Sequence, residues 1–251
     1  MYVYAWCFFI FSFFGWCLEV AYHAIKKGRF VNRGFLSGPI CPIYGIGVCL
    51  LDLLLGPFNS VILLFLTASL MATALELVIG FIMDKIFECR WWDYSSERWN
   101  FHGYVCLKFS LIWGVLCLIC AKVIVPVKRL VYLFGHPMSY AALYILISLA
   151  FYDLVFSAVR VFKFNHRLEL LERISSDASS SLSVGSNFIG NGLYRGTLRL
   201  YYEYELALSL AARLGMRFID AFPSFRSSRY NEQIRRMKRR LALLEEKSKK
   251  R

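Results

Sequence analysis

The sequence contains little charge for its length. Asp, Glu, Lys and Arg make up 19% of its 251 residues, whereas an ordinary soluble domain has about 25%. Apolar residues make up 58%, compared with about 45–50% in soluble domains. This composition excludes a simple soluble enzyme, a disordered chain and a fibre, and it indicates a membrane protein with several spans.

The common motifs of enzymatic chemistry are also missing. No segment matches the phosphate-binding pattern G-x-x-x-x-G-K-[ST]. The four histidines are scattered and form neither a zinc-site spacing nor a Ser/His/Asp arrangement. We therefore expect no ATPase module in the sequence, no metal, no cofactor and no enzymatic activity.

Five apolar stretches are candidates for helices that cross a bilayer, which requires about 20 residues. They cover residues 3–25, 39–55, 61–83, 104–125 and 138–159. The first does not resemble a cleavable signal peptide, because no basic residue precedes it and it has no small-residue cleavage site. The sequence predicts an all-α, polytopic transmembrane helix bundle in residues 1–159.

The positive charge lies mainly after this bundle. Residues 1–159 hold 11 Lys/Arg and 8 Asp/Glu, a net charge of +3, whereas residues 160–251 hold 19 and 9, a net charge of +10. Short cytoplasmic loops are rich in Lys and Arg, and the loops after the first and third spans carry seven of them, against two opposite. This distribution predicts an N-terminus outside and a C-terminus in the cytoplasm.

The basic tail, residues 160–251, has several predicted parts. Residues 160–173 continue the last span, and residues 175–192 are rich in Ser, Gly and Asn, which predicts a flexible linker. Residues 193–222 have the apolar spacing of an amphipathic helix on the membrane surface. The basic helix at residues 229–251 is either solvated or docked on anionic lipid. Nucleic acid binding is not expected, because no binding fold accompanies the charge.

Ionisable side chains inside spans are costly and indicate candidate functional sites. The predicted topology places four of them in one layer near the cytoplasmic surface, namely Glu19, Glu76, Lys108 and Asp153. A carboxylate that faces Lys108 or Arg33 keeps its charge at lower cost. Two interpretations stay open: the charges lock the bundle or reach the interface, or they form a site for a polar substrate or an ion.

Residues 32–47 are dense in glycine and proline. The residues that define this irregular motif are Gly38, Pro39, Pro42, Tyr44, Gly45 and Gly47. Irregular backbone at membrane depth persists only where protein buries it or where it lines a wet cavity. The second span is therefore either broken or re-entrant, and broken helices often frame transporter sites, or it is a helix that starts at Pro39 and packs closely through its glycines.

A second stretch, residues 90–103, is rich in Trp and Tyr. Aromatic residues at this position are typical of the belt at a membrane interface. The alternative is that Asp93 and Asn100 fold this loop back against the charged layer.

Together these segments resemble the putative ABC-transporter type IV (CmpB-type) permease family of bacterial membrane proteins, over about residues 5–155. The resemblance is carried by Gly15-Trp16-Cys17-Leu18-Glu19, by Asn32-Arg33-Gly34-Phe35-Leu36-x-Gly38-Pro39-x-Cys41-Pro42-Ile43-Tyr44-Gly45-x-Gly47, and by Trp92-Asp93-Tyr94-Ser95 with Asn100 and Gly103. It implies a permease subunit in the bacterial cytoplasmic membrane, and it supplies no catalytic residue. It directs attention to Glu19, Asn32, Arg33, Gly38, Pro39, Pro42, Tyr44, Glu76, Trp92, Asp93 and Asn100.

Two main hypotheses follow. In the first, the chain is a permease subunit that associates with a second membrane subunit, such as another copy of itself, and with a separate ATPase that meets the loops after the first and third spans. In the second, it is a non-transporting membrane scaffold or regulator whose tail binds lipid or a partner. A weaker third hypothesis is a membrane-embedded enzyme that acts on lipid through Glu19 or Glu76.

Overall fold

The computed structural model describes residues 1–55, 60–133, 137–184 and 191–239. Its helices are α1 (Tyr2–Lys27), α2 (Pro42–Leu55), α3 (Val61–Phe87), α4 (Leu107–Leu133), α5 (Pro137–Val184), α6 (Asn191–Ala221) and α7 at residues 231–239. The short strands are β1 (Cys89–Arg90), β2 (Asn100–Phe101), β3 (Val105–Cys106) and β4 (Arg226–Ser227). β1 pairs with β4 and β2 with β3, both antiparallel.

Four helices, α1, α3, α4 and α5, are long and apolar enough to cross a membrane. Their outer surfaces carry large exposed apolar side chains, among them Ile62, Leu70 and Tyr144, as expected of helices in contact with lipid. The 14-residue α2 is about 21 Å long at 1.5 Å per residue, short of a hydrocarbon layer of about 30 Å. The predicted all-α membrane bundle is confirmed, while five spans and the orientation stay predictions.

Glycines allow the bundle helices to pack closely. A Cβ atom at Gly45 of α2 would overlap Ser12 Oγ and the Phe8 carbonyl oxygen of α1. A Cβ atom at Gly114 of α4 would similarly overlap Ser69 Oγ of α3. Backbones in both helix pairs therefore approach to a distance that only a small residue permits.

An ion pair joins three helices at the end of the bundle where α1 begins. The Lys128 ammonium of α4 donates to both carboxylate oxygens of Asp52 in α2, at 2.9 and 2.8 Å. The Tyr4 hydroxyl of α1 also donates to Asp52, at 2.8 Å. Asp52 thus lies apart from the other span carboxylates, as its place near the end of the second apolar stretch predicts.

The helix α5 does not end where the sequence predicts a flexible linker. It runs for 48 residues, about 72 Å at 1.5 Å per residue, and so extends far beyond the bilayer. The prediction of a linker from residue 175 is wrong as far as Val184, because this segment has neither Gly nor Pro and an existing helix adds Ser residues at small cost. Residues 185–190 lie outside the described residues.

The described part of the tail is a packed helical layer. From Ala207 onward one face of α6 is buried against α5, and a Cβ atom at Gly215 would overlap the Phe164 ring. Fully buried members of this core include Val161, Phe164, Leu168, Leu171, Ala211, Phe218, Phe225, Ile234 and Met237. The prediction that residues 193–222 lie on the membrane surface is therefore corrected from Ala207 onward, where one face has an intramolecular partner, whereas Tyr202 and Leu206 are exposed. Residues 240–251, the end of the predicted basic helix, lie outside the described residues.

The tail core continues into the segment after α3. Phe87, Cys89 and Trp91 belong to the same buried cluster as Phe218 and Phe225, and the Trp91 ring centroid lies 5.7 Å from that of Phe225. We call the end of the bundle where this segment lies the loop end. The tail covers the loop end and makes one apolar core with it.

Candidate functional site

The segment between α1 and α2, residues 28–41, is called loop 1, and Asn32 organises it. α1 ends at Gly28, whose φ of 69° is left-handed, a conformation that glycine adopts without strain. The Asn32 side-chain oxygen accepts hydrogen bonds from Trp16 Nε1 at 2.8 Å and from the Gly34 N–H at 3.1 Å. Its amide nitrogen donates to the Ser37 carbonyl at 2.8 Å. Asn32 thus attaches loop 1 to α1.

Two charged side chains bind the backbone of loop 1 from α5 and α6. The Asp153 carboxylate accepts from the Ser37 and Gly38 N–H groups at 3.0 and 2.7 Å. The Arg217 guanidinium donates to the Gly34 carbonyl at 3.0 Å and also to the Leu36 carbonyl. Irregular backbone near the membrane requires such protein partners.

Loop 1 enters the bundle before α2 begins. The Cys41 N–H donates to the Ser12 carbonyl in the middle of α1 at 2.9 Å, so α2 starts about halfway along α1. Pro42 is its first residue, a position where the missing N–H has no cost, whereas Pro39 lies in the preceding loop and is exposed. Of the interpretations of this span, the broken one fits this geometry, because α2 runs from the middle of α1 to the end of the bundle where Asp52 contacts Tyr4.

The start of α2 meets a charged pair. The Glu19 carboxylate of α1 accepts from Arg33 of loop 1 at 2.9 Å and from the Tyr44 hydroxyl of α2 at 2.7 Å. The Glu19 and Arg33 side chains are 24% and 23% exposed. This pair agrees with the suggestion that a span carboxylate faces Arg33, and the carboxylate is that of Glu19.

Glu76 of α3 is the more deeply buried acid, with an exposed fraction of 5%. Its two carboxylate oxygens accept from the Tyr94 hydroxyl and from Trp113 Nε1 of α4, each at 3.1 Å. Burial and the Glu76 charge raise the pKa of the Tyr94 phenol, so Tyr94 stays a proton donor at physiological pH. Within the described residues the Tyr94 hydroxyl and the Trp113 indole, both neutral, are the only hydrogen-bond donors to Glu76.

Aromatic contact connects the two carboxylates. The ring centroids of Tyr44, which binds Glu19, and Trp113, which binds Glu76, lie 5.6 Å apart. We call this set the carboxylate network; it consists of Glu19, Arg33, Tyr44, Trp113, Glu76 and Tyr94. It draws on α1, loop 1, α2, α3, α4 and the segment after α3, and it combines two acids, one fixed cation and three aromatic donors.

The segment between α3 and α4, residues 88–106, is called loop 3, and its polar residues mainly hold it together. The Asn100 amide donates to the Glu97 carbonyl at 2.8 Å and accepts from the Gly103 N–H at 3.1 Å. Asp93 accepts from the Ser95 N–H at 3.1 Å and forms an ion pair with Arg226 of β4 at 3.0 Å. Asp93 therefore faces the tail.

The remaining predicted residues lie apart from the network. The Lys108 ammonium is 3.4 Å from Glu97 and 61% exposed, so of the two cations named as possible partners of a span carboxylate, Lys108 pairs with an acid of loop 3 instead. The physical reason is that Lys108 lies in the first turn of α4, where a long side chain reaches the polar surroundings of loop 3. A Cβ atom added at Gly47 would lie 3.5 Å from the Leu75 side chain, which is an ordinary van der Waals contact.

Sequence reasoning missed Trp113, Arg217 and Arg226. Trp113 carried one usable signal: an indole N–H in the middle of a span needs an acceptor when buried, and few carboxylates are present. Arg217 and Arg226 carried no such signal, because their partners lie far away in the sequence. Arg217 binds backbone carbonyls of loop 1, and Arg226 binds the Asp93 carboxylate of loop 3.

The tail also occupies the surfaces assigned above to an ATPase. Arg217 binds loop 1, and β4 pairs with loop 3 through the Cys89–Ser227 and Arg90–Arg226 positions. Any partner approaching the loop end therefore meets the tail as well as the loops.

Comparison with known proteins gives one family. A family model described as putative ABC-transporter type IV matches residues 6–158, which include most of α1, all of α2 to α4, both loops and the carboxylate network. No curated protein and no solved structure matches the chain.

Proposed function

The chain belongs to the putative ABC-transporter type IV family, and from this membership and the carboxylate network we propose that it is a permease-type subunit of the bacterial cytoplasmic membrane. The matched region ends at residue 158, near where α5 leaves the predicted bundle. In this proposal the N-terminus lies outside, and the loop end faces the cytoplasm. A separate ATPase and a second membrane subunit, such as another copy of the chain, complete the transporter.

The observation that carries this proposal is the environment of Glu76. Among the described residues no cation pairs with the Glu76 carboxylate, so the protein does not compensate a negative charge there. A passing cation, or a proton that accompanies a polar substrate, supplies the missing charge. Glu19 differs because Arg33 already compensates it, so we assign Glu76 to ligand or proton binding and the Glu19–Arg33 pair to holding loop 1 near it.

The broken backbone beside the network supports the same assignment. Half-length helices and irregular loops frame the binding sites of many transporters, and here loop 1 and the first turn of α2 lie next to Glu19. The residues that we propose for the site are Glu19, Arg33, Tyr44, Glu76, Tyr94 and Trp113. Asn32, Gly38 and Asp153 shape loop 1, and Asp93 and Asn100 shape loop 3.

The test couples the network to ATP hydrolysis. The full-length chain is purified in mild detergent with any co-purifying nucleotide-binding subunit, and ATP hydrolysis by the complex is compared with that of the Glu76→Gln and Glu19→Gln variants. We expect each variant to keep the complex intact and to change its hydrolysis rate at least fivefold. Lys108→Gln, which removes a charge outside the network, is the matched control and should behave as the unmodified chain.

Two outcomes contradict the proposal. Repeated purification without a nucleotide-binding partner opposes the ABC-type assignment. Unchanged hydrolysis in both glutamate variants, in a complex that does contain the ATPase, removes the carboxylate network as its site.

The second candidate is a membrane-anchored scaffold or regulatory protein, and the packed tail favours it. A layer that shares one core with loop 3 presents a fixed surface rather than a loose basic segment. The discriminating experiment is complementation of a strain that lacks the chain. Loss of complementation in Arg226→Gln but not in Glu76→Gln supports the scaffold, and the opposite pattern supports the permease.

A further inference from the structure

A groove of about 1020 Å³ opens on the outer side of α3 at the loop end. Its apolar wall is formed by Leu77, Val78 and Phe81 of α3. Its polar wall contains Lys85, from the next turn of the same helix, and Arg229, which directly follows β4 and Ser228 in the tail. The groove is distinct from the carboxylate network, whose side chains point into the bundle.

The position of the groove along α3 matches the boundary between hydrocarbon and headgroups. A hydrocarbon layer of about 30 Å corresponds to about 20 helical residues, and α3 begins at Val61. Phe81 therefore lies near the end of the hydrocarbon layer, and Lys85 lies at the level of the headgroups. Val78 and Phe81 are 52% and 48% exposed, so an acyl chain can contact them directly.

The charged residues of the groove differ in how they are used. Arg90 is fully engaged, because it donates to Asp84 at 2.8 Å, to the His102 carbonyl at 2.9 Å and to the Tyr104 hydroxyl at 3.2 Å. Asp84 is neutralised by this contact.

Two cations remain for a ligand. Lys85 lies over the Phe81 ring at 5.6 Å and has no ion-pair partner within the described residues. The Arg229 guanidinium is 4.0 Å from Glu88, which also lines the groove, in an exposed pair, and such pairs contribute little. With Lys85, Arg90 and Arg229 against Asp84 and Glu88, the groove lining has a net charge of +1 at headgroup depth, directly beyond an apolar wall.

From this arrangement we infer that the groove binds one anionic phospholipid of the adjacent leaflet. Its phosphate lies between Lys85 and Arg229, and an acyl chain packs on Leu77, Val78 and Phe81. Cations near a membrane surface attract anionic lipid, and here two of them are fixed on separate elements at one depth. This inference is independent of the proposed transport function.

The inferred lipid would also stabilise the docked tail. Arg229 belongs to the tail, whereas Lys85 belongs to the bundle, so one phosphate joins the two parts. A ligand that binds only the docked state shifts the equilibrium towards that state. Bound phospholipid therefore protects the β1–β4 pairing from opening.

The experiment uses the full-length protein, delipidated in detergent and titrated with phosphatidylglycerol, phosphatidylethanolamine or phosphatidylcholine. Native mass spectrometry measures the bound lipid, and hydrogen exchange at residues 89–90 and 226–227 measures tail docking. Lys85→Gln/Arg229→Gln is the groove variant. Lys163→Gln/Arg235→Gln, which removes two exposed cations elsewhere on the tail, is the control with the same change of net charge.

We expect the unmodified chain and the control to bind phosphatidylglycerol at least fivefold more tightly than phosphatidylcholine and to exchange more slowly at β1 and β4 when it is bound. The groove variant should lose both effects while its elution volume stays that of the unmodified chain. Equal binding of the three lipids, equal loss in both double variants, or binding of phosphatidylglycerol by the groove variant at the original strength would each overturn the inference. If the groove variant fails to fold, Lys85→Gln alone, at an exposed position, provides the same comparison.

Discussion

At the level of single residues, Glu76 and Glu19 show how similar acids receive different roles from their neighbours. Glu19 faces a guanidinium at 2.9 Å, whereas Glu76 has two neutral donors. A hydrogen bond to a charged group contributes more than a neutral one, and the loss of a donor leaves the acceptor unsatisfied. The indole of Trp113 therefore matters to Glu76 in a way that a phenyl ring cannot replace.

The first prediction concerns this indole. Trp113→Phe should lower the free energy of unfolding by about 1–3 kcal/mol, because the buried carboxylate loses one of two donors. Titration with a denaturing detergent measures the change. Trp99→Phe is the control, since Trp99 is 83% exposed, and it should have little effect. In a double-mutant cycle the cost of Trp113→Phe should shrink when Glu76 is already Gln; equal costs in both backgrounds would show that packing alone is responsible.

Much of the site could be predicted from single residues, because charges in apolar stretches stand out. Glu19 and Glu76 were identified in this way, and Arg33, in the loop between two apolar stretches, was named as a cation that a span carboxylate could face. Lys108 and Asp153 were assigned to the same layer from depth alone, and depth does not specify which way a side chain points. Lys108 turns to Glu97, and Asp153 binds backbone N–H groups, which have no sequence signature.

At the level of elements, the two glycines of the α2 motif have different tasks. Gly45 faces α1 with no room for a Cβ atom, whereas an added Cβ at Gly47 would meet only Leu75 at 3.5 Å. From the sequence alone, Gly45 and Gly47 could not be told apart in this respect. Only the packing of α2 on α1 distinguishes the one that permits close approach.

The second prediction compares these positions. Gly45→Ala should destabilise the bundle by about 1–3 kcal/mol, because backbone and Ser12 must move apart. Gly47→Ala should be neutral or stabilising by about 0.5–1 kcal/mol, because Ala favours the helix. Thermal unfolding in the same detergent compares them. Equal destabilisation by both substitutions would contradict the close contact between α1 and α2.

The third prediction concerns the attachment of loop 1 to α5. Asp153→Asn should speed hydrogen exchange at the Ser37 and Gly38 amides by about tenfold, because the two N–H groups bond to different carboxylate oxygens and Asn offers one neutral accepting oxygen in their place. Mass-spectrometric exchange of peptides that cover loop 1 gives the rates. Glu172→Gln, an exposed acid on the same helix, should leave them unchanged, and the same acceleration in that control would show a general loosening of α5.

At the level of the whole molecule, the bundle and the tail share one buried core. Cys89 is fully buried in this core, where burial raises the pKa of its thiol to about 12. The sequence predicted a helical tail but placed it apart from the loops. The periodicity of apolar residues identifies an apolar helix face but not what covers it, because lipid and protein can each bury such a face.

The fourth prediction uses the Cys89 thiol as a reporter of this core. Removing residues 191–251 takes away Phe218 and Phe225, so Cys89 should become exposed and its pKa should return towards the ordinary value of about 8.5. Its reaction with a maleimide at pH 8 should then be more than tenfold faster, because only the thiolate reacts. The same truncation on a Cys89→Ser background identifies the labelled site. Unchanged labelling would mean that the tail does not cover loop 3.

The pairing of β1 with β4 also determines when the loop end can fold during synthesis of the chain. Arg90 and Arg226 are partners across 136 positions of sequence, and translation adds roughly 5–20 residues per second. Loop 3 is therefore made on the order of ten seconds before its strand partner exists, and loop 1 waits still longer for Arg217. During this interval the newly inserted helices have incomplete loops, so the final shape of the loop end is reached only after Arg226 has left the ribosome.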